Sequence, residues 1–296
     1  MKDVITVYNM RESDAHTIAE YVPSRELMYR AAMGVYKAVN WKQGTIGILT
    51  GAGNNGGDGY ALACILADQE IPCCVYRVSE KFSEDGQYYH DLAQAKGVDI
   101  RMFTEEDHLK EYDILVDCML GTGFSGRVRD LYRAAIKAVN NARAYVVSVD
   151  INSGMNGDSG KAELAVKSDL TVTIGYLKTG FFLGDAIWYV GKLAVADIGI
   201  RLVRDEYYLA KEEEIVFPHS GWDLHGDRVE MLTPGEAEDQ LKNGQTVPEL
   251  AVELALKEQK LIRVIGKNPL VTDGYRTYFI EGGEFPQNIV SLGNQG

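Results

Sequence analysis

The stretch that most limits what this chain can become is Thr45 to Tyr60, TIGILTGAGNNGGDGY. An apolar run of Ile46, Ile48 and Leu49 ends in a loop with five glycines among the nine residues Gly51 to Gly59, and good helix formers follow from Ala61 to Ala67. Strand, tight loop and helix are predicted in that order. Gly51, Gly53 and Gly56 satisfy G-x-G-x-x-G in the setting where a backbone approaches a pyrophosphate and a helix N-terminus faces it. Asn54, Asn55 and Asp58 stand where a plain dinucleotide fold carries small or apolar residues, so these side chains are expected to bind a ligand.

The rest of the chain repeats the strand-to-helix alternation. Arg11 to Val39 reads as two helices broken at Pro23, with Ser13 as a cap, and Leu27, Met28, Ala31, Ala32 and Val35 form an apolar stripe suited to the core or to a homodimer contact. Strands are predicted at Pro72–Val78, Val98–Phe103, Asp113–Leu120, Tyr145–Asp150, Leu170–Ile174 and Leu193–Val195, with helices at Asp85–Ala95 and Leu131–Asn140. This pattern belongs to the α/β class: a doubly wound, mostly parallel sheet in a Rossmann-like three-layer α/β/α arrangement. Ligands of such sheets bind at the carboxyl ends of the strands. Three strand ends run into polar or glycine-rich loops, at Gly53–Asp58, at Asp117 with Gly121–Arg127, and at Asp150–Gly154, and they are expected to converge on one cleft.

Composition narrows the function classes. The chain has 296 residues and a net charge of −13, with 46% hydrophobic and 25% charged residues, as in a soluble globular protein. An acidic balance argues against a general nucleic-acid or anionic-membrane surface, and an anionic ligand would need local positive potential. No run of apolar residues is long enough to span a membrane and the N-terminus has no secretory pattern, so a cytoplasmic protein is expected. Cys64, Cys73, Cys74 and Cys118 lack metal-ligand spacing and are expected to be buried, reduced thiols.

The segments GAGNNGGDG, DILVDCMLGTGFSG, VVSVDINSG, SDLTVTIGYLKTG and YVGKLAVADIGI, with a weaker ELMYRAA, together resemble the YjeF N-terminal family of NAD(P)H-hydrate epimerases, over about Met10 to Ile200. The resemblance implies an isomerase that interconverts the two epimers of hydrated NADH or NADPH with a bound potassium ion. Carried over by position, it implies substrate contacts at Asn54, Asn55, Gly56, Gly57, Asp58, Gly121, Thr122, Gly123, Phe124, Ser125, Gly126, Arg127 and Asp150, and potassium ligands at Asn55, Asp117 and Ser153. Three positions depart from the family. Asn152 replaces the usual proline before the serine and is expected to loosen that loop, while Tyr29 replaces an acid and Thr179 a proline.

The implied chemistry needs a proton donor for the departing hydroxyl, a base for the returning water, and an anionic setting for the cation between them. Asp150, at a strand end facing the cleft, is the candidate for both proton roles. Lys178 is expected either to orient Asp150 or to bind a phosphate, and Arg127 to add positive potential. A second reading, an NAD(P)-dependent oxidoreductase, would usually place an acid at the end of the second strand, where Arg77 stands. A third, a non-catalytic scaffold, conflicts with the retention of Asn55, Asp117 and Asp150.

Two segments are expected along the chain: residues 1–204 as the epimerase-type domain and 205–296 as a small C-terminal α/β extension. Asp205–Glu214 reads as a polar connector, Pro248–Lys257 as a helix and Leu261–Ile265 as a strand. Parts of the extension faintly resemble a shortened dehydratase domain, but the Glu284 that follows Gly282–Gly283 leads into Phe285 and Pro286 rather than into a helix start, and no acid follows Gly293, so the acid that domain's anion site requires is not in place. Packing on the main body through Leu261, Ile262, Val264 and Ile265 is expected instead.

Overall fold

A computed structural model describes residues 1–282 and 289–292, so Gly283 and Gly293 lie outside the described residues. Its elements are β1 (Lys2–Ile5), α1 (Val7–Glu20), α2 (Ser24–Ala38), β2 (Ile46–Thr50), α3 (Asn54–Asp68), β3 (Cys73–Arg77), α4 (Glu84–Ala95), β4 (Asp99–Met102), β5 (Ile114–Cys118), α5 (Asp130–Asn141), β6 (Tyr145–Val149) and β7 (Leu170–Ile174). The second half adds β8 (Leu177–Lys178), α6 (Ala186–Tyr189), β9 (Lys192–Ala196), β10 (Tyr207–Ala210), β11 (Val229–Leu232), α7 (Pro234–Gln240), α8 (Val247–Glu258), β12 (Leu261–Val264), β13 (Leu270–Thr272), β14 (Thr277–Ile280) and β15 (Val290–Leu292).

The main sheet has the order β4-β3-β2-β5-β6-β7-β9-β15, and its strand pairs are parallel. Strands β2, β5 and β7 are buried along their whole length, which explains why they read as continuous apolar runs rather than alternating ones. On one face the stripe Leu27, Met28, Ala31, Ala32 and Val35 of α2 packs with α3 and α4 over Ile48, Val116 and Val172. It is core. On the other face Ala135, Ile136 and Val139 of α5 cover Leu49 and Leu115. The chain leaves β2 toward β3 on one side and later returns to β5 on the other, which opens the crevice where ligands of such sheets bind.

A second sheet, ordered β11-β12-β13-β14-β10-β1-β8, joins the extension to the body. Strand β1 pairs antiparallel with β10, Val4 opposite Tyr207, and parallel with β8, Ile5 opposite Lys178. The sheet therefore runs across position 204. Ile262 and Val264 pack in a cluster shared with the body, as expected, whereas Leu261 is buried within the extension itself and Ile265 is exposed. Phe279 of β14 stacks on Phe182 of the body at 4.9 Å between ring centroids, inside a cluster that also holds Val4, Leu177 and Leu209.

Two local expectations need correction. Tyr207–Ala210, read as part of a polar connector, is an interior strand, because four residues flanked by acids carry too little periodicity to be recognised. The cap of α1 is Thr6, whose Oγ1 accepts from the Asn9 amide at 3.2 Å. Ser13 is buried within the helix, where its Oγ donates to Asn9 Oδ1 and accepts from the Val203 amide. The cysteines match expectation more closely: Cys64, Cys74 and Cys118 are buried and Cys73 is half-buried, and burial pushes the Cys64 and Cys73 thiols up to about 12. No helix among the described residues is long and apolar enough to cross a membrane.

The shared sheet generates a test of cooperativity. Phe279→Ala empties a site between extension and body, and a loss of about 3–5 kcal/mol is expected. Hydrogen exchange read on β2 and β5 should then speed up together with that on β12 and β14. Loss of protection confined to β12 and β14 would show two independently stable units.

Candidate active site

The cavity at the switch point has a volume of about 480 Å³ and lies at the carboxyl ends of β2, β5 and β6. Its floor depends on close backbone approach. A Cβ on Gly51 would stand 1.8 Å from the Met119 carbonyl oxygen, and one on Gly56 would stand 2.1 Å from the Gly51 carbonyl oxygen. Glycine at position 51 lets the turn after β2 lie against the turn after β5, and glycine at position 56 lets the first turn of α3 lie against the turn it leaves. Helix α3 then starts at the cavity with no side chain capping it, so its first amides face the space.

Of the residues expected to bind substrate, Asn54, Asn55, Asp58, Gly121, Thr122, Gly123, Phe124 and Asp150 line this cavity. Gly56 and Gly57 are buried inside α3 and serve packing. Ser125 does not line the cavity, Gly126 borders a separate depression, and Arg127 lies outside the cavity with its guanidinium on Glu163 at 2.8 Å. The sequence reading missed the wall contributed by α1 and α2: Met10, Arg11, Asp14, Leu27 and Met28. The 3.6-residue spacing of Met10, Asp14 and the α2 stripe was readable; that one edge of it faces a ligand was not.

Asp150 follows β6 and adopts a left-handed backbone with φ of 66°. Such a conformation costs about 1–3 kcal/mol in a residue other than glycine and persists where the surroundings impose it. Here the Asp150 amide donates to the Val172 carbonyl at 2.8 Å, and the side chain receives Lys178 Nζ at 2.6 Å on Oδ1. Lys178 is fully buried, and its ammonium also donates to Thr173 Oγ1 at 2.9 Å and the Ile174 carbonyl at 2.7 Å. All three ammonium protons are thereby used. Of the two roles expected for Lys178, its bonds serve the orientation of Asp150, and no donor is left for a phosphate.

Two further carboxyls face Asp150 across the cavity. Burial pushes the Asp58 carboxyl well above the usual range, and the charges of Asp150 and Asp14 add to the shift against the opposing pull of Lys178. Asp14 is raised by the same causes, burial first and Asp150 next. The cavity is thus a carboxylate-rich space in which Asp58 resists ionisation.

Behind the wall, Asp117 is fully buried. Its Oδ2 accepts from Ser148 Oγ and the Ser153 amide, both at 2.9 Å, and its Oδ1 from Ser153 Oγ and the Met119 amide. Burial nevertheless raises its pKa, because these neutral donors only partly offset the desolvation. Asn55 is buried too, yet neither its Oδ1 nor its Nδ2 has a hydrogen-bond partner. Orphaned amide atoms of this kind cost about 1–3 kcal/mol and call for a ligand.

Asn152 reverses its expectation. It is fully buried, and its Nδ2 lies 2.9 Å from each of Val166 O, Ser168 Oγ and Tyr189 O, while Oδ1 accepts from Thr171 Oγ1 at 2.7 Å. The asparagine ties the loop that carries Ser153 to three other segments, so the departure from proline does not loosen it.

Fold and site together define a small-molecule enzyme site in a doubly wound sheet, and comparison with known proteins gives the family. Residues 24–180 match the family described as YjeF-related protein N-terminus, and the chain belongs to it. It is similar to the NAD(P)H-hydrate epimerase of Limosilactobacillus fermentum, with 34% identity over 205 residues that cover 66% of this chain and 97% of that protein. It is also 37% identical over 176 residues to the bifunctional NAD(P)H-hydrate repair enzyme Nnr of Archaeoglobus fulgidus, a match covering 59% of this chain and 37% of that one. The crystal structure of yeast ynu0 shares the fold, with a TM-score of 0.54 and 20% identity over 60% of this chain and 82% of that one.

The Asp58 environment yields a stability test. A carboxyl whose folded pKa is raised holds its proton more tightly than the unfolded chain does, so stability falls as pH rises from the usual carboxylate range through the raised value. Asp58→Asn cannot ionise and should melt above the parent near neutral pH, with the gap shrinking toward about pH 4. An equal melting difference at both pH values would show that Asp58 is not held protonated by the fold.

Proposed function

We propose that this protein is an isomerase that interconverts the R and S epimers of hydrated NADH or NADPH, a step of nicotinamide cofactor repair. The observation that carries the reading is the placement of Asp150, held by a buried lysine at the edge of a cavity that also presents Asp14 and Asp58.

In the hydrated cofactor the reacting carbon bears a hydroxyl beside a ring nitrogen. A carboxyl protonates the hydroxyl, the carbon–oxygen bond breaks, the nitrogen lone pair closes a carbon–nitrogen double bond, and water departs. Water then adds to either face of the cation and returns a proton to the carboxylate, so atoms and charge balance over the cycle. Asp150 is assigned the shuttle, and Lys178 keeps it in place. The neighbouring acids favour a cation in this cavity, where fixed charges beside the protein act more strongly than in bulk solvent. Asn54, Gly121–Phe124 and the exposed amides of α3 line the space for the rest of the dinucleotide.

A potassium ion fits the residues present. The set of an amide carbonyl, a carboxylate and a hydroxyl is all oxygen, as a hard cation requires. Asn55 Oδ1 lacks a partner, and Asp117 has only neutral donors around its buried charge. Asn55, Asp117 and Ser153 would hold the ion, and its charge would offset Asp117 and help draw in a pyrophosphate.

Two outcomes are expected. Asp150→Asn keeps the shape and polarity of the site but cannot carry a proton, so epimerisation should fall at least about a hundredfold with substrate binding nearly intact. Turnover within a few-fold of the parent would remove Asp150 from the proton path. Crystals soaked in rubidium or thallium salts should show a peak in contact with Asn55 Oδ1, and Asp117→Ala should abolish it. A site without that peak, with activity indifferent to potassium, would make Asn55 and Asp117 purely structural.

A further inference from the structure

The cavity that would receive a dinucleotide carries mostly acids among its charged lining residues. Its acidic lining residues are Asp14, Asp58, Asp85 and Asp150, and Lys178 is sealed behind Asp150. A dinucleotide brings a pyrophosphate with two negative charges into this space. Arg127, which the sequence points to as a compensating charge, is outside the cavity and neutralised by Glu163. Among the described residues lining the cavity, Arg11 is the one cation.

Arg11 sits on α1 one turn before Asp14, on the same edge of the helix. Its Nη2 is 3.4 Å from where a Cβ on Gly123 would stand, which places the guanidinium over the turn that follows β5. Among the described residues Arg11 makes no hydrogen bond and no ion pair, so its donors are unspent, and its charge reaches the Asp158 carboxyl only at longer range. The position of α1 is itself fixed. Glu206 accepts from the Thr6 amide at 2.7 Å, and Asp158 accepts from the Val7 amide at 2.7 Å, so the helix is held at its first turn by two other segments. An unspent guanidinium on an anchored helix, facing the start of α3 across an otherwise acidic cavity, suits two-pronged contact with phosphate oxygens.

We propose that Arg11 binds the phosphate groups of the dinucleotide and so determines that the enzyme acts on a phosphate-bearing substrate. The proposal rests on the epimerase reading above. Arg11 precedes the segment that matches the family, residues 24–180, and none of the expected substrate contacts includes it. The division of labour is spatial: the acids near Asp150 meet the ring that becomes cationic, and Arg11 with the first amides of α3 meets the anionic end.

The test uses the full chain with Arg11→Gln and Arg11→Lys, and two readouts. In turnover, Arg11→Gln should raise KM for hydrated NADH about tenfold with kcat within about twofold, the pattern of lost binding rather than lost chemistry. Hydrated reduced nicotinamide riboside, which has no phosphate, should be processed equally by parent and variant. In direct binding, ADP-ribose, which carries the pyrophosphate without the nicotinamide, should bind the parent about tenfold tighter than Arg11→Gln, with Arg11→Lys between them. Equal ADP-ribose affinity in parent and Arg11→Gln would overturn the proposal. If the parent turned over neither epimer, the epimerase reading would fail, and the ADP-ribose comparison would still decide Arg11.

Discussion

The bond between Lys178 and Asp150 is the junction on which the site depends. The lysine comes from β8, part of the second sheet, and the aspartate from the end of β6 in the main sheet. A fully buried ammonium is costly unless each proton finds an acceptor, and here each does. Removing the Asp150 side chain altogether would leave the buried ammonium one acceptor short, so the Lys178 bond and the left-handed backbone of Asp150 reinforce each other. A carboxylate placed in this way is aimed by the architecture rather than by the loop it sits on.

That dependence gives the C-terminal extension a physical role. Strand β10 hydrogen-bonds β1, and β1 in turn carries β8, so the extension backs the strand that presents Lys178. Glu206, at the entry to β10, also holds the first turn of α1, the helix that contributes Arg11 and Asp14 to the cavity. The last third of the chain thus borders two walls of the site without lining it.

Much of this was legible in the sequence because it rests on local patterns. The run from Ile46 to Leu66 declares strand, glycine turn and helix, and the alternation after it declares the sheet. The convergence of the Gly53–Asp58, Gly121–Phe124 and Asp150 loops follows from topology alone. What escaped depends on contacts between distant positions. Asn152 looked like a loosened proline, yet its partners Val166, Ser168, Thr171 and Tyr189 come from other parts of the chain. Arg127 lies within the carried-over binding segment but pairs with Glu163, while Arg11 lies outside that segment and reaches the cavity. Strand β10 was hidden by its four-residue length and acidic flanks, and its place in the sheet is set by β1 and β14.

A cavity crowded with carboxylates is a poor place for an anion and a good one for a cation, and that asymmetry organises the chemistry. The ring that loses hydroxide becomes positive beside Asp150, Asp14 and Asp58, while burial keeps Asp58 from adding its full charge before the substrate arrives. Cleavage of the carbon–oxygen bond is the step that this environment favours. Inversion by opening the ring to an aldehyde and reclosing it would keep the original oxygen and would gain little from the acids. The most direct measurement follows epimer inversion by the purified chain in oxygen-18 water and weighs the product. Uptake of solvent oxygen in step with each inversion is expected; inversion that outruns the label would contradict a cationic intermediate.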